Sequence, residues 1–178
     1  FHREAPLIPR ELRFEVEERV DGSGRIRSPL ATGELAVLAD NLRFLEIEAL
    51  AISFLNSYLT PDHEQAAAAE LRRLLPEIFV TTGTELTREW HEFERTATAA
   101  ANAHVGPQVS RYVAEFDAGL RANDFKGSLL LMGSHGGMIS AERGCREPIT
   151  LVESGPVGGC IGAAHYGHFL NIDNLVAF

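Results

Sequence analysis

The sequence predicts an α/β fold, with a largely parallel sheet behind an N-terminal β-hairpin. Three observations carry that prediction. From residue 33 onward, strand-like runs alternate with runs of helical period, the pattern of successive βα units. Residues 11–30 instead alternate apolar and polar positions around a turn signal. The composition, 45% hydrophobic and 23% charged over 178 residues, suits one compact unit with a substantial core. The expected division is a hairpin arm over residues 1–30 and an α/β domain over 31–178.

Taken in order, LRFEVEERV supplies the alternating strand of the arm, and Asp21-Gly22-Ser23-Gly24 supplies its turn. The acidic outer face of this arm reads as solvated. GELAVLADNLRFLE places Leu35, Leu38, Leu42 and Leu45 at helical spacing. IEALAISFL follows as a short buried strand of the parallel type. Thr60-Pro61 marks the next helix start, with Thr60 as N-cap and Pro61 in the first turn. That helix, DHEQAAAAELRRLL, ends before Pro76 and leads to the β-branched strand IFVTTG. A long helical region comes next. Leu86, Trp90, Phe93, Ala97 and Ala100 form one apolar stripe, and Val109, Tyr112, Val113, Phe116 and Leu120 form another. Gly106-Pro107 is expected to separate or bend the two. SLLLMG, ITLVE and NLVAF are read as the remaining strands.

Charge excludes several functions. The net charge is −9, with 25 acids against 16 bases, which opposes a nucleic-acid groove or an anionic membrane surface. No apolar run reaches the length of a membrane span. Two cysteines, Cys145 and Cys160, are too few for a disulfide framework, and Cys160 reads as a packed thiol. A cytoplasmic setting is the expectation. The chain begins Phe1-His2-Arg3 without an initiator Met and ends in the apolar run NLVAF. Both ends are read as cut, so a piece of a longer protein is expected.

Two glycine-rich segments are candidate sites. In LVESGPVGGCIGAAHYG the spacing fits neither a Walker loop nor a dinucleotide fingerprint. What remains is a helix start, capped by Ser154 and with Pro156 in its first turn, whose free N–H groups favour an anion. The competing reading makes Gly158, Gly159, Gly162, Ala163 and Ala164 a close-packing helix surface. In LLMGSHGGMI a strand ends at Gly133, and Ser134, His135, Gly136 and Gly137 form a turn where a small ligand would bind. Ser134 and His135 could also be read as a nucleophile and base, although adjacent turn residues usually point apart. HEFER at His91 mimics a zincin motif, but Arg95 stands in place of the second histidine. Glu92, Glu94 and Arg95 are read as a solvated helix face. His165 and His168 lack a third ligand, so no metal site is expected.

Five segments together carry a family resemblance: RELRFEVEERVDGSGRIRSPL, LAISFLNSYLTPDHE, FERTATAAANAHVGPQVSRY, LLMGSHGGMIS and ESGPVGGCIGAA. In this order they resemble the A-type subunit or domain of the hydantoinase/oxoprolinase family, over nearly the whole chain. Two residues depart from the common pattern: His135, where family members usually carry Asn, and Val157, where Ala is usual. The resemblance implies an actin-like, ribonuclease H-like ATPase fold whose two Asp-x-Gly-Gly-Thr phosphate loops lie upstream of Phe1 and beyond Phe178. It implies ATP with Mg in the full-length protein and no cofactor in this segment alone. It also implies a B-type partner subunit and a small cyclic amide or ketone as substrate. The expected chemistry is phosphorylation of a poorly reactive carbonyl, then hydrolysis or carboxylation. Ser154, Gly155, Gly158 and Gly159 would border the nucleotide, Ser134 to Gly137 would contact substrate, and no catalytic residue is assigned. The alternative is a non-catalytic scaffold that contacts the B-type partner through the arm or the Trp90 helix.

Overall fold

The computed structural model describes residues 6–177. They fall into two compact units that divide between Pro107 and Gln108. Both contain helices and strands, and the mixed α/β class is as predicted, with an antiparallel N-terminal hairpin and one parallel strand pair.

In the first unit, β1 (Arg19–Val20) pairs antiparallel with β2 (Ile26–Ser28). Only the end of the alternating run is therefore paired, and residues 13–18 run as irregular backbone. Asp21 organises the turn. Its carboxylate accepts from the Ser23 hydroxyl and N–H, from the Arg25 N–H, and from the guanidinium groups of Arg25 and Arg27. The Ser23 hydroxyl foremost, then the two backbone N–H groups, hold that carboxyl far below its ordinary range. Gly24 sits at φ +79, a conformation that favours glycine. The hairpin is fastened by Asn56, whose side-chain N–H donates to Val20 O at 2.9 Å, and by the Thr60 hydroxyl, which donates to Gly24 O at 2.8 Å. Thr60 is thus not the helix cap that its position suggests, because its oxygen is turned to the hairpin. The arm's acidic face is not wholly solvated either: Glu18 Oε2 lies 2.8 Å from His63 Nδ1, and both side chains are nearly enclosed.

Next in the chain, α1 (Thr32–Phe44) packs against α2 (Asp62–Leu74), and α2 lies against the parallel pair β3 (Ala49–Ile52) and β4 (Phe79–Thr82), registered from Ala49 against Phe79 to Ile52 against Thr82. Leu35, Ala39 and Leu42 from α1 meet Ala67, Ala68 and Leu71 from α2, together with Leu75, Ile52 and Val80. This is the hydrophobic cluster of the unit, and each large side chain within it contributes about 1.5–3 kcal/mol.

The short helix α3 (Gly83–Leu86) opens with a capping box: the Thr82 hydroxyl accepts from Glu85 N–H, and the Glu85 carboxylate accepts from Thr82 N–H. The long helix α4 (Glu92–Ala122) runs without interruption through Pro107, where a break or bend is expected. Beside the proline, Gly106 lies against the Phe79 ring, and a Cβ there would come within 2.5 Å of it. The buried face of α4 in this unit is also not the bulky stripe. Arg95, Ala99, Asn102 and Ala103 are buried, while Trp90 and Phe93 face water. Small residues are needed on the inward face because the helix passes close to β4, where Asn102 donates to the Thr81 hydroxyl at 3.1 Å.

In the second unit, β5 (Leu130–Met132) and β6 (Met138–Ser140) form an antiparallel hairpin, followed by α5 (Ala141–Arg146) and α6 (Ser154–Phe169). SLLLMG therefore pairs with its own continuation rather than joining a parallel sheet. ITLVE is not a strand: Pro148–Leu151 wind into a 3-10 turn, which suits Pro148 at its start. Residues 174–177 of NLVAF form no strand, and Phe178 lies outside the described residues. The Ser110 hydroxyl donates to Cys145 O at 2.8 Å, tying α4 to α5, and burial pushes the Cys145 thiol up.

Glu64 in α2 and Arg95 in α4 are both 0% exposed. Replacing Glu64 with Ala leaves several buried donors unpaired and is expected to lower unfolding free energy by about 3 kcal/mol or more. Glu94→Ala, on the water-facing side, should change it by less than about 0.5 kcal/mol. Urea unfolding followed by circular dichroism measures both.

Candidate functional site

Three places in the chain have the polar groups or the surface to serve a ligand, and each is built locally. The first is the start of α6. Glu153 precedes it in the left-handed conformation, φ 61 and ψ 12, and no side chain caps the helix. Ser154 is the first helical residue rather than the cap. The leading N–H groups of a helix have no intrahelical partner, but Pro156 contributes none, and Val157 N–H already donates to Glu153 O at 3.4 Å. The donors left, at Ser154 and Gly155, stand next to the carboxylate of Glu153. That set does not by itself fit a nucleotide, which needs several donors and positive charge around its phosphates.

The helix has a second property. Ser154–Phe169 contains no Asp, Glu, Lys or Arg, so it is apolar nearly all round, the composition of a buried helix. Its contact to the β5–β6 hairpin uses Gly158 against Met132, and Val157 with Ile161 against Gly136. Gly155, Gly159, Gly162, Tyr166 and Phe169 recur every three or four residues on another face. A Cβ added at any of those three glycines meets nothing within 4 Å, and Tyr166 and Phe169 are 66% and 74% exposed. Of the glycines expected to pack closely, Gly158 does so against Met132, while Gly159 and Gly162 meet nothing among the described residues, and Cys160, expected to be packed, is exposed.

The second place is the β5–β6 turn. Ser134, His135, Gly136 and Gly137 do form a turn, but at the tip of an antiparallel hairpin rather than at the edge of a parallel sheet. Ser134 N–H donates to Thr150 O at 2.7 Å, anchoring the turn to the 3-10 segment. The His135 ring folds back over its own turn: a Cβ on Gly133 or Gly137 would lie within 2.8 Å of it. Gly136, at φ +83, takes the conformation that lets the turn close. Among the described residues no hydrogen bond joins the Ser134 hydroxyl to His135, so the nucleophile–base pair is not formed.

The third place was missed by sequence reasoning. At the C-terminal ends of β3 and β4, Glu64 accepts from Phe54 N–H at 2.8 Å, Thr84 N–H at 3.0 Å and the Thr84 hydroxyl at 2.7 Å. Arg95 donates to Phe54 O and to Glu89 O, lies over the Tyr58 ring, and keeps Nε without a partner. Above it, the hydroxyls of Ser53 and Thr96 meet at 2.7 Å. The reading of Arg95 as a solvated residue fails because its helical face is otherwise alanine and asparagine, which pack inward. That pattern, with Thr82 and Glu85 at capping-box spacing after a strand, is the signal the sequence does contain. Among the described residues, no three His, Cys, Asp or Glu side chains converge as metal ligands.

The first unit is built on a parallel βαβ motif and the second on a glycine-turn hairpin followed by an apolar helix, a mixed α/β class. Two family models match this chain: the hydantoinase/oxoprolinase N-terminal region over residues 1–75 and hydantoinase/oxoprolinase over residues 95–178. The chain belongs to the hydantoinase/oxoprolinase family. An uncharacterized protein of Methanocaldococcus jannaschii is 36% identical over 100% of this chain and 26% of its own length. The caprolactamase subunit alpha of Pseudomonas jessenii is 30% identical over 96% of this chain and 24% of its own. The nucleotide-free structure of acetone carboxylase, an ATP-dependent enzyme, superposes with a TM-score of 0.83 at 26% identity, over 96% of this chain and 24% of that one. The chain thus spans about a quarter of the length of the curated relatives it matches.

The open space around Gly159 has a direct consequence. In this chain alone, Gly159→Ala should raise stability by up to about 1 kcal/mol, since it removes a helix-interior glycine without a clash. Thermal unfolding of the second unit, followed by circular dichroism, reads the gain.

Proposed function

We propose that the chain is a segment of an ATP-dependent subunit of this family that activates the carbonyl of a small cyclic amide by phosphorylation, for hydrolysis together with a B-type partner subunit. A ketone carboxylated by the same activation is the closest variant. The observation that carries this reading is the likeness, over nearly the whole chain, to caprolactamase subunit alpha and to an ATP-dependent acetone carboxylase. A caprolactam and acetone, the substrates these names state, share a poorly reactive carbonyl group. Transfer of the ATP γ-phosphoryl group to the amide oxygen would let water add at the carbonyl carbon, with phosphate leaving and the ring C–N bond opening. Transfer to the enol oxygen of a ketone would hold a carbon nucleophile that adds to carbon dioxide as phosphate is released.

In this reading the segment supplies a framework rather than the phosphate loops. The start of α6, at Ser154, Gly155, Gly158 and Gly159, borders the nucleotide, and the turn from Ser134 to Gly137 faces the substrate. The two free N–H groups at that helix start would supplement a phosphate contact made chiefly by groups from elsewhere in the polypeptide. ATP acts with Mg in the full-length protein, in the cytoplasm, within a hetero-oligomer, and the segment alone is inactive. What supports a role for α6 at a moving boundary is its unfilled glycine face, which would let another part of the protein approach closely.

A second reading, a non-catalytic module that contacts the partner subunit, is favoured by the exposure of Trp90 and Phe93. Calorimetry separates the two. The full-length protein should bind Mg-ATP and hydrolyse it faster when a cyclic amide or ketone is present, whereas the isolated segment should show no submicromolar binding. Gly159→Leu should remove most of that turnover in the full-length protein while leaving the isolated segment folded. Full ATPase activity in that variant would count against the role given to α6.

A further inference from the structure

Gly133 and Gly137 stand where the backbone does not call for glycine. Of the glycines in the β5–β6 turn only Gly136 has a positive φ; the other two take conformations open to any residue. What a side chain at either would meet is the imidazole of His135. A Cβ on Gly133 would lie 2.5 Å from Cε1 and 2.7 Å from Nδ1, and one on Gly137 would lie 2.8 Å from Nε2. The two glycines therefore form a seat for the ring, one beside each of its nitrogens. The turn beneath is fixed: Gly133 N–H donates to Gly137 O at 2.8 Å, Gly136 N–H to Gly133 O at 2.9 Å, and Ser134 N–H to Thr150 O.

Among the described residues, the other rings this close to a glycine are apolar: Phe79 on Gly106 and Phe125 on Gly127. Apolar contact accounts for those two. It does not account for His135, which is exposed and whose ring nitrogens form no hydrogen bond among the described residues. A polar ring held on a rigid turn offers a donor whose direction is already set, so a ligand need not order it. We infer that His135 is a positioning residue for the substrate: a ring N–H donates to the carbonyl oxygen of the cyclic amide or ketone and orients that carbonyl. The carbonyl oxygen is the polar atom these two substrate classes share, and it only accepts, so a donor is what its recognition requires. Gly133 and Gly137 act through His135 by keeping the ring in place. This inference rests on the reading above in which the turn from Ser134 to Gly137 faces the substrate, and it names the group in that turn that makes the contact.

The test uses the full-length subunit with its companion subunit. The probe is whichever of pyrrolidinone, caprolactam, hydantoin and acetone most stimulates ATP hydrolysis by the wild-type protein. His135→Ala should raise the KM of that probe by about tenfold, the loss of one hydrogen bond, and the KM of ATP by less than about twofold. His135→Asn keeps an N–H donor and should stay within about threefold of wild type. Gly137→Ala should raise the same KM with the imidazole still present, because its Cβ displaces the ring. Diethyl pyrocarbonate labelling, mapped by mass spectrometry, reads the contact without turnover. His135 should label in the free protein and be protected by the probe added with a non-hydrolysable ATP analogue, but not by the analogue alone. Failure of every probe to stimulate wild-type ATP hydrolysis would overturn the proposed function and this assignment together. Stimulated hydrolysis indifferent to His135→Ala would overturn the assignment alone. So would labelling of His135 unchanged by the probe, or no labelling at all, which would show that the rest of the polypeptide covers the ring. An equal rise in both KM values, or a lower melting temperature of His135→Ala that accounts for its lost activity, would give the residue a structural role instead.

Discussion

Phe54 is the point at which two buried charges share one peptide backbone. Its N–H donates to the Glu64 carboxylate and its carbonyl accepts from the Arg95 guanidinium, so two buried charged side chains are each solvated by the same peptide. Each charge then reaches a different loop. Glu64 takes both donors of Thr84, fixing the turn after β4, and Arg95 takes Glu89 O, fixing the approach to α4. Ionised groups out of water are costly unless they are fully hydrogen-bonded. That cost is why the loops after β3 and β4 and the start of α4 must adopt one arrangement together. The hydrophobic cluster beneath would tolerate alternative loop paths; these charges do not.

This clamp also explains which parts of the fold were legible in the sequence. Where periodicity and packing agree, as in α2 and the strand Phe79–Thr82, the residues announced their state. Where a side chain serves a distant backbone, they did not. Thr60 reads as an N-cap but donates to Gly24 O, and Arg95 reads as solvated but lies inside. The apolar stripe that includes Trp90 and Phe93 is not the face that packs. Here the inward face had to be small, because Asn102 and Gly106 pass close to β4. The strands after residue 128 were misread for a different reason. Apolar runs of this length do not say which neighbour they pair with, and β5 finds its partner locally in β6.

The candidate site was only partly legible. The turn at Ser134–Gly137 and the helix beginning at Ser154 were both located. Neither is complete as a binding site, and the three glycines of α6 meet no partner within the described residues. That incompleteness agrees with a chain spanning about a quarter of its relatives' length. A helix without charged side chains and with an open glycine face is stable in a whole protein only when something covers it.

The claim that the Glu64–Phe54–Arg95 clamp organises the first unit is tested most directly by native-state hydrogen exchange at two amides, Phe54 and Thr84. Both lie in loops, where exchange is ordinarily fast, and both donate to Glu64. The clamp predicts that they exchange only through global unfolding, with the same protection as the core amide of Leu71. Exchange of Phe54 and Thr84 on the timescale of exposed loops, while Leu71 stays protected, would contradict it.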